Sequence, residues 1–321
     1  MDFKEVTGEN RFLKALQKNI VYVVFLTIFI FFSLVLRGKF LSYSNLMNIA
    51  RQTSIYSIMA IGMTFALSAG EIDLSLDSVI ALTAMVTAVV LRDFGIVLGV
   101  LAGLGTGLAV GSFNGIIVAK LKVPSFLVTL TTLEIVAALA RWITNLKTIP
   151  ISNDTYNFIF GSGDIGPIPI LFLWLILFLV IGYIALKRIP FGLKLLATGG
   201  NERAAIFSGI KTRKIKMIAL IISAVGASIG GILYAGRLHG ARYTLGQGTV
   251  LSVIAASVIG GTSLFGGKGT VIGSVIGAVM IGMVNNGLIL MGLSVAQQMF
   301  FRGLILLIAI SINVHLQTRR I

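Results

Sequence analysis

Three carboxylates stand within the segment Ser68-Ala69-Gly70-Glu71-Ile72-Asp73-Leu74-Ser75-Leu76-Asp77-Ser78, between two long apolar runs. Acids at that position are expensive to keep near hydrocarbon, so Glu71, Asp73, Ser75 and Asp77 are candidates for a polar solute path. Their alternation with apolar residues suits extended backbone or a broken helix. A second use is open as well, an ordinary solvated loop in which Asp73 or Ser75 caps the following helix. The stretch Gly260-Gly261-Thr262-Ser263-Leu264-Phe265-Gly266-Gly267-Lys268-Gly269-Thr270 invites a test for phosphate binding. It fails: a P-loop needs Gly five residues before its Gly-Lys pair and Ser or Thr after the Lys, and Thr262 and Gly269 occupy those places. Irregular backbone at a helix break is the better reading, tolerated in a membrane where protein or a water-filled cavity covers it. There is no cysteine, and His239 and His315 are far apart, so neither thiolate chemistry nor a metal site is expected.

The elements that must position these residues follow from composition. The chain has 321 residues, 56% hydrophobic and 12% charged, about half the charge of an ordinary soluble domain. Crossing ~30 Å of hydrocarbon takes roughly 20 mostly apolar residues. Ten such segments are predicted: Asn19 to Leu36, Met47 to Ala69, Ser75 to Leu91, Ile96 to Ala119, Phe126 to Thr144, Ile168 to Leu186, Ile215 to Ala235, Leu251 to Leu264, Val271 to Met291 and Val295 to Val314. The start, with Lys4, Arg11, Lys14 and Lys18 ahead of Val21 to Leu36, reads as a cytoplasmic segment 1–18 before a retained span. With the N-terminus inside, the dense basic stretch Lys187 to Lys216 and the pair Arg319 and Arg320 also fall inside, as the positive-inside rule expects. Topology therefore accounts for the net charge of +15 without nucleic acid. The expected fold is an all-α polytopic membrane helix bundle with broken helices, one domain over 19–321 and both ends cytoplasmic.

Further signals lie on these elements. Asn114-Gly115 to Val123 and Asn286-Gly287 to Val295 share a pattern and fall five crossings apart, a candidate inverted repeat. Gly103, Gly107 and Gly111, like Gly273 and Gly277, stand four apart, which suits close helix packing. Glu134 and Arg141 share one face of the fifth span and suit an ion pair or a polar path. Asn114, Asn285, Asn286 and Gln297 could hydrogen-bond solute hydroxyls or join helices; Gln298 is similar. In the segment 187–214, Gly199-Gly200 ends one element, Asn201 is a good N-cap with Glu202 in the first turn, and Ser208-Gly209 stops a short helix. Such a helix could rest on its own protein or dock into a partner.

The motifs Asn45 to Gly62, Ile72-Asp73-Leu74-Ser75, Val123-Pro124-Ser125-Phe126, Gly199 to Ile210, Ile254 to Lys268 and Asn286 to Val295 occur in a specific order. By that order the chain resembles the permease subunits of bacterial ABC importers for ribose and related monosaccharides. The resemblance implies ten-helix subunits in the cytoplasmic (inner) membrane and a second permease copy in the surrounding lipid. It also implies cytoplasmic ABC ATPase subunits, which hold the ATP and Mg, and an extracytoplasmic solute-binding protein. This chain would bind no cofactor and perform no covalent chemistry. Gly200, Asn201, Glu202, Ala204, Ala205, Ser208 and Gly209 would form the coupling helix. The chain departs from that family where Glu71 and Asp77 replace usual glycines, where Val250 and Ser252 replace an acidic pair, and where Ala137-Ala138 replaces Arg-Gly. Two other transport classes share features with it: permeases for nucleosides or branched-chain amino acids, and an ion-driven secondary transporter using Glu71, Asp73 and Asp77.

Overall fold

The computed structural model describes residues 20–301 together with 303, 304, 307 and 311. The expected segment 1–18 and most of the tenth span lie outside them. In chain order the helices are α1 (Ile20–Leu36), α2 (Gly38–Leu41), α3 (Tyr43–Ser68), α4 (Leu76–Phe94), α5 (Ile96–Ile116), α6 (Ser125–Ile143), α7 (Asp154–Asn157), α8 (Ile170–Lys187), α9 (Pro190–Gly200), α10 (Glu202–Phe207), α11 (Thr212–Arg237), α12 (Thr249–Ile259) and α13 (Val271–Leu290). Residues 295–301 begin one more. Each of the five prolines sits at a boundary or in a connection, with Pro124 just before α6, Pro169 before α8 and Pro190 at the first position of α9, so no described helix loses an interior hydrogen bond. Two short antiparallel pairs, β1 (Ile149–Pro150) with β4 (Gly240–Ala241) and β2 (Asp164–Ile165) with β3 (Ile168–Pro169), tie down the connections.

Five of these helices, α5 with the π turn that extends it to Leu121, α6, α8, α11 and α13, are long and apolar enough to cross a membrane on those criteria alone. The equally long α3 is richer in polar residues and is shielded instead: Thr53, Ser54, Ser57, Thr64 and Ser68 are all buried within the bundle. Beside it, α11 packs against α3, α4 and α5. The expected glycine spacing is used there. A Cβ at Gly107 would strike Ser228, and one at Gly111 would come within 2.8 Å of the backbone of Ile221. Gly273 and Gly277 likewise admit the carbonyls of Gly260 and Ala256, so α12 and α13 meet backbone to backbone. In lipid such contact replaces the hydrophobic drive.

These contacts also give directions. Gly103 lies against Ile232 and Gly115 against Met217, so α5 and α11 are antiparallel. Gly62 against Gly226 and Met59 against Gly230 make α11 antiparallel to α3, and Thr64 with Ser274 and Thr53 with Gly282 make α3 antiparallel to α13. It follows that α5 and α13 run in opposite senses, as an inverted repeat of their Asn-Gly pairs requires.

One expected crossing is corrected. The eighth, Leu251 to Leu264, is helical only as far as Ile259, where the 11-residue α12 ends; that helix rises ~16 Å, about half the hydrocarbon thickness. The remaining stretch to Thr270 is irregular, with positive φ at Gly261, Gly266 and Gly267. Hydropathy continues through a break of this kind because its residues are small or apolar. The backbone does not remain helical because three positions adopt φ values that disfavour side chains.

Candidate functional site

The acidic segment is a second break. α3 closes on Gly70, at φ +81, with Glu71 N–H bonded to Ala66 O in a Schellman-type end. The chain then runs extended against the start of α6. Ser125 Oγ accepts from Ile72 N (3.0 Å), and Thr129 Oγ1 accepts from Leu74 N (2.9 Å) while donating to Ile72 O (3.1 Å). Asp73 is fully buried, and its Oδ1 accepts from Ser75 N (3.0 Å) and Ser75 Oγ (2.6 Å). Asn114 donates to Ser75 Oγ (3.1 Å), and its own Oδ1 accepts from Thr132 Oγ1 (2.7 Å). Asp73, Ser75 and Asn114 thus form one buried network that fixes where α4 begins. This is closer to the capping alternative than to an open path, although Asp73 works through an Asx turn instead of a helix cap.

Glu71 faces a different way. Its Oε1 lies 2.9 Å from Lys216 Nζ, and the same ammonium lies 2.8 Å from Glu202 Oε2. One lysine on the first turns of α11 therefore joins the break before α4 to the first residue of α10. Burial pushes the Glu202 carboxyl up, but the bond and charge of Lys216, with help from Thr212 and Arg213, hold it below its ordinary value. A depressed carboxyl contributes fully above its unfolded value, 4.5, and loses that contribution only as the pH falls through the folded value, so the link is intact near neutrality.

α10 is built as its residues predict. Asn201 Oδ1 accepts from Ala204 N (3.0 Å), and Gly209, at φ +78, ends the helix with Ile210 N–H on Ala205 O. Ala205 is buried, whereas Ala204 and Ser208 are exposed. Ile206 is 55% exposed and Phe207 92%. Behind the helix, Gly199 and Gly200 lie against Gly266 and Gly267, and Gly267 N donates to Ser68 O (3.0 Å). α10 is thereby fastened to both breaks, beside a cavity of about 790 Å³ whose wall includes Glu71, Lys122, Arg203 and Lys216.

A family described as "Branched-chain amino acid transport system / permease component" matches residues 45–310. The chain belongs to this permease family. It is 36% identical to the ribose import permease protein RbsC of Bacillus subtilis (strain 168), over 87% of each chain. Against the ribose import permease protein RbsC of Escherichia coli (strain K12) it is 36% identical over 98% of this chain and 99% of the other. The L-arabinose transport system permease protein AraH of that strain is 35% identical, over 90% and 88%. No solved structure matches. The protein is a multi-pass membrane permease.

Two of the permease's expected path residues have other work. Asn286 forms a reciprocal amide pair with Asn45, at 2.8 and 3.0 Å, and Asn45 also donates to Phe40 O (2.8 Å), which staples α13 to the start of α3. Gln297 accepts from Ser294 N (2.8 Å) while Ser294 Oγ accepts from Gln297 N (3.4 Å). That is a capping box at the start of the last helix, legible as Ser-x-x-Gln. Asn285 is buried on α13.

Asp77 holds the start of the permease's half-helix. Its Oδ2 accepts from Gly248 N (2.8 Å) and its Oδ1 from Val250 N (2.7 Å), so a carboxylate sits on the positive end of α12. Asp77→Ala is expected to lower stability by about 1–2 kcal/mol, the upper part of the range for lost caps, and Asp77→Asn by less. Thermal unfolding of the purified permease in detergent measures this; equal midpoints for Ala and wild type would refute it. Next to Asp77 lies a cavity of about 220 Å³ bordered by Glu134, Arg141, Tyr243 and Gln247. Glu134 and Arg141 are exposed, and neither makes an ion pair with a described residue, so of the two uses their spacing suits the ion pair is not formed among the described residues. Tyr243 and Gln247 carry no sequence signal, since they lie on an irregular connection.

Proposed function

We propose that this permease is the membrane-spanning subunit of an ATP-driven importer for a small monosaccharide of the ribose type in the bacterial cytoplasmic membrane. The observation that carries the reading is similarity across 98% of this chain and 99% of a ribose import permease. In this reading two copies pair within the lipid, ABC ATPase subunits dock on α10, and a solute-binding protein delivers sugar at the opposite side. Both termini and the segment 187–214 are cytoplasmic, and residues 19–321 act as one membrane domain. ATP and Mg belong to the ATPase, and this chain binds no cofactor.

The geometry supports a mechanical role for the chain's own residues. Closure of the ATPases displaces α10 as a unit, because Asn201 and Gly209 fix both its ends. The displacement reaches the break before α4 through Glu202, Lys216 and Glu71. It reaches the break after α12 through Gly199, Gly267 and Ser68. Elements interrupted inside the bundle are where access can alternate, since irregular backbone lines cavities in membranes.

The test is uptake into proteoliposomes holding the permease, its ATPase and its solute-binding protein. ATP-dependent accumulation of ribose, or of a related pentose, is expected over adenosine and leucine. Preferential accumulation of leucine or a nucleoside would overturn the sugar assignment, and accumulation by the permease without ATPase would overturn the ATP-driven one.

A further inference from the structure

We infer that the cavity bordered by Asp77, Glu134, Arg141, Tyr243 and Gln247 is a membrane-embedded recognition subsite for a neutral, hydroxyl-rich solute, in which Glu134 and Arg141 determine specificity. The inference rests on the import reading above and locates where, within the bundle, the solute is examined.

Depth is the first argument. Glu134 is the tenth of the 19 residues of α6, at the centre of a helix long and apolar enough to span a membrane. Neighbouring residues of that helix, Leu130, Ile135 and Leu139, are apolar and exposed, as a lipid-facing surface requires. Charges at that depth are costly against hydrocarbon and face a bundle interior or water. Glu134 and Arg141 border a cavity, are exposed, and have no ion-pair partner among the described residues. They are seven residues apart on one helix, a rise of ~10 Å, which leaves room for a solute between them.

Charge balance gives the class of solute. Asp77 is the third ionisable group on the cavity wall, and both its oxygens are taken by the N–H groups of Gly248 and Val250. The helix terminus that would otherwise attract an anion is therefore already neutralised. What remains is one carboxylate and one guanidinium, which balance each other and favour an uncharged ligand. A carboxylate accepts from hydroxyls and a guanidinium donates to them as a planar fork, so together they read both polarities of a vicinal diol. Tyr243 adds a ring face and a hydroxyl, and Gln247 an amide that both donates and accepts. At about 220 Å³ the cavity is smaller than the ~300–1,000 Å³ typical of drug-sized ligand pockets, so it suits a single small ring.

The rival occupant is a second copy of the chain, with Glu134 of each copy paired to Arg141 of the other. The experiment separates them. E134Q, R141K and the charge exchange E134R/R141E are reconstituted with the ATPase and with solute-binding protein saturated by ribose, 2-deoxyribose or arabinose, so that differences arise in the membrane step. E134Q and R141K are expected to change the ratio of ribose to 2-deoxyribose uptake by about tenfold, because a site that hydrogen-bonds a hydroxyl rejects the analogue lacking it. E134R/R141E should assemble with the ATPase while losing discrimination. Unchanged sugar ratios in both single variants would overturn the inference. So would single variants that fail to assemble while E134R/R141E regains assembly and wild-type ratios, the signature of an ion pair between copies. The wild-type lane keeps the two readings apart: if it moves no sugar with ATP, the import reading itself fails; if it does and the ratios stay fixed, only the subsite fails.

Discussion

Lys216→Met is expected to destabilise the permease by about 3–5 kcal/mol, the usual cost of breaking a buried ion pair by removing one partner. Glu71 has only 7% of its side chain exposed and Lys216 22%, and the two are 2.9 Å apart. Without the ammonium a nearly buried carboxylate stays behind with no cation in salt-bridge contact among the described residues. The cost can be largely reversed by removing that carboxylate too, because two apolar groups of similar size can replace a buried pair at little net loss. Glu71→Met in the Lys216→Met background should therefore recover most of the stability, whereas Glu202→Gln alone should cost about 0–1 kcal/mol, as expected at a half-exposed surface pair. Chemical unfolding of the wild type, Lys216→Met, the double variant and Glu202→Gln reads these differences. Recovery of stability should not restore transport: with Glu71 and Glu202 no longer joined, ATP hydrolysis is expected to continue while uptake falls. A Lys216→Met protein as stable as wild type would show that Glu71 is not held by this contact.

The contrast between Glu71 and Asn201 shows what the sequence could carry. Asn201 and Gly209 act on backbone three to five residues away, so the bounds of α10 follow from residue type alone. The same holds for the long apolar spans and for the glycine seams, where spacing within one helix suffices. Glu71 is conspicuous in the sequence, but its role is set by Lys216, 145 positions on, and Asp77 is likewise defined by Gly248 and Val250. Charge cost identifies such residues as special without saying which element neutralises them. The residues expected to line one path accordingly separate into a buried network around Asp73, a link to α10 at Glu71, a cap at Asp77, an amide staple at Asn286 and a capping box at Gln297. Glu134 and Arg141 point the other way: local pattern suits a pair or a polar path, and three-dimensional placement leaves each beside a cavity without an ionic partner among the described residues.

Phe207→Asp is expected to abolish ATP-driven uptake while leaving the permease folded. The side chain is 92% exposed at the end of α10, beside Ile206 at 55%, so the helix presents an apolar tip that its own fold does not cover. In water such a tip is a poor place for a phenyl ring; in the groove of a partner it is the kind of aromatic anchor that dominates a helix-in-groove contact. Loss of an anchor of that kind costs at least ~2 kcal/mol, about thirtyfold in affinity, and a buried carboxylate adds to the loss. Because the ring makes so little contact within the permease, its replacement should leave the unfolding midpoint unchanged, which separates docking from folding. Gly209→Glu is a less clean probe, since Gly209 adopts φ +78 and a side chain there strains the helix end as well as the contact. Ala204→Arg, on the exposed side of the same helix, should weaken docking by bulk and charge without that strain. Co-purification of the ATPase with each variant and uptake into proteoliposomes provide the two measurements. Wild-type uptake by both Phe207→Asp and Ala204→Arg would place the ATPase contact elsewhere on the permease.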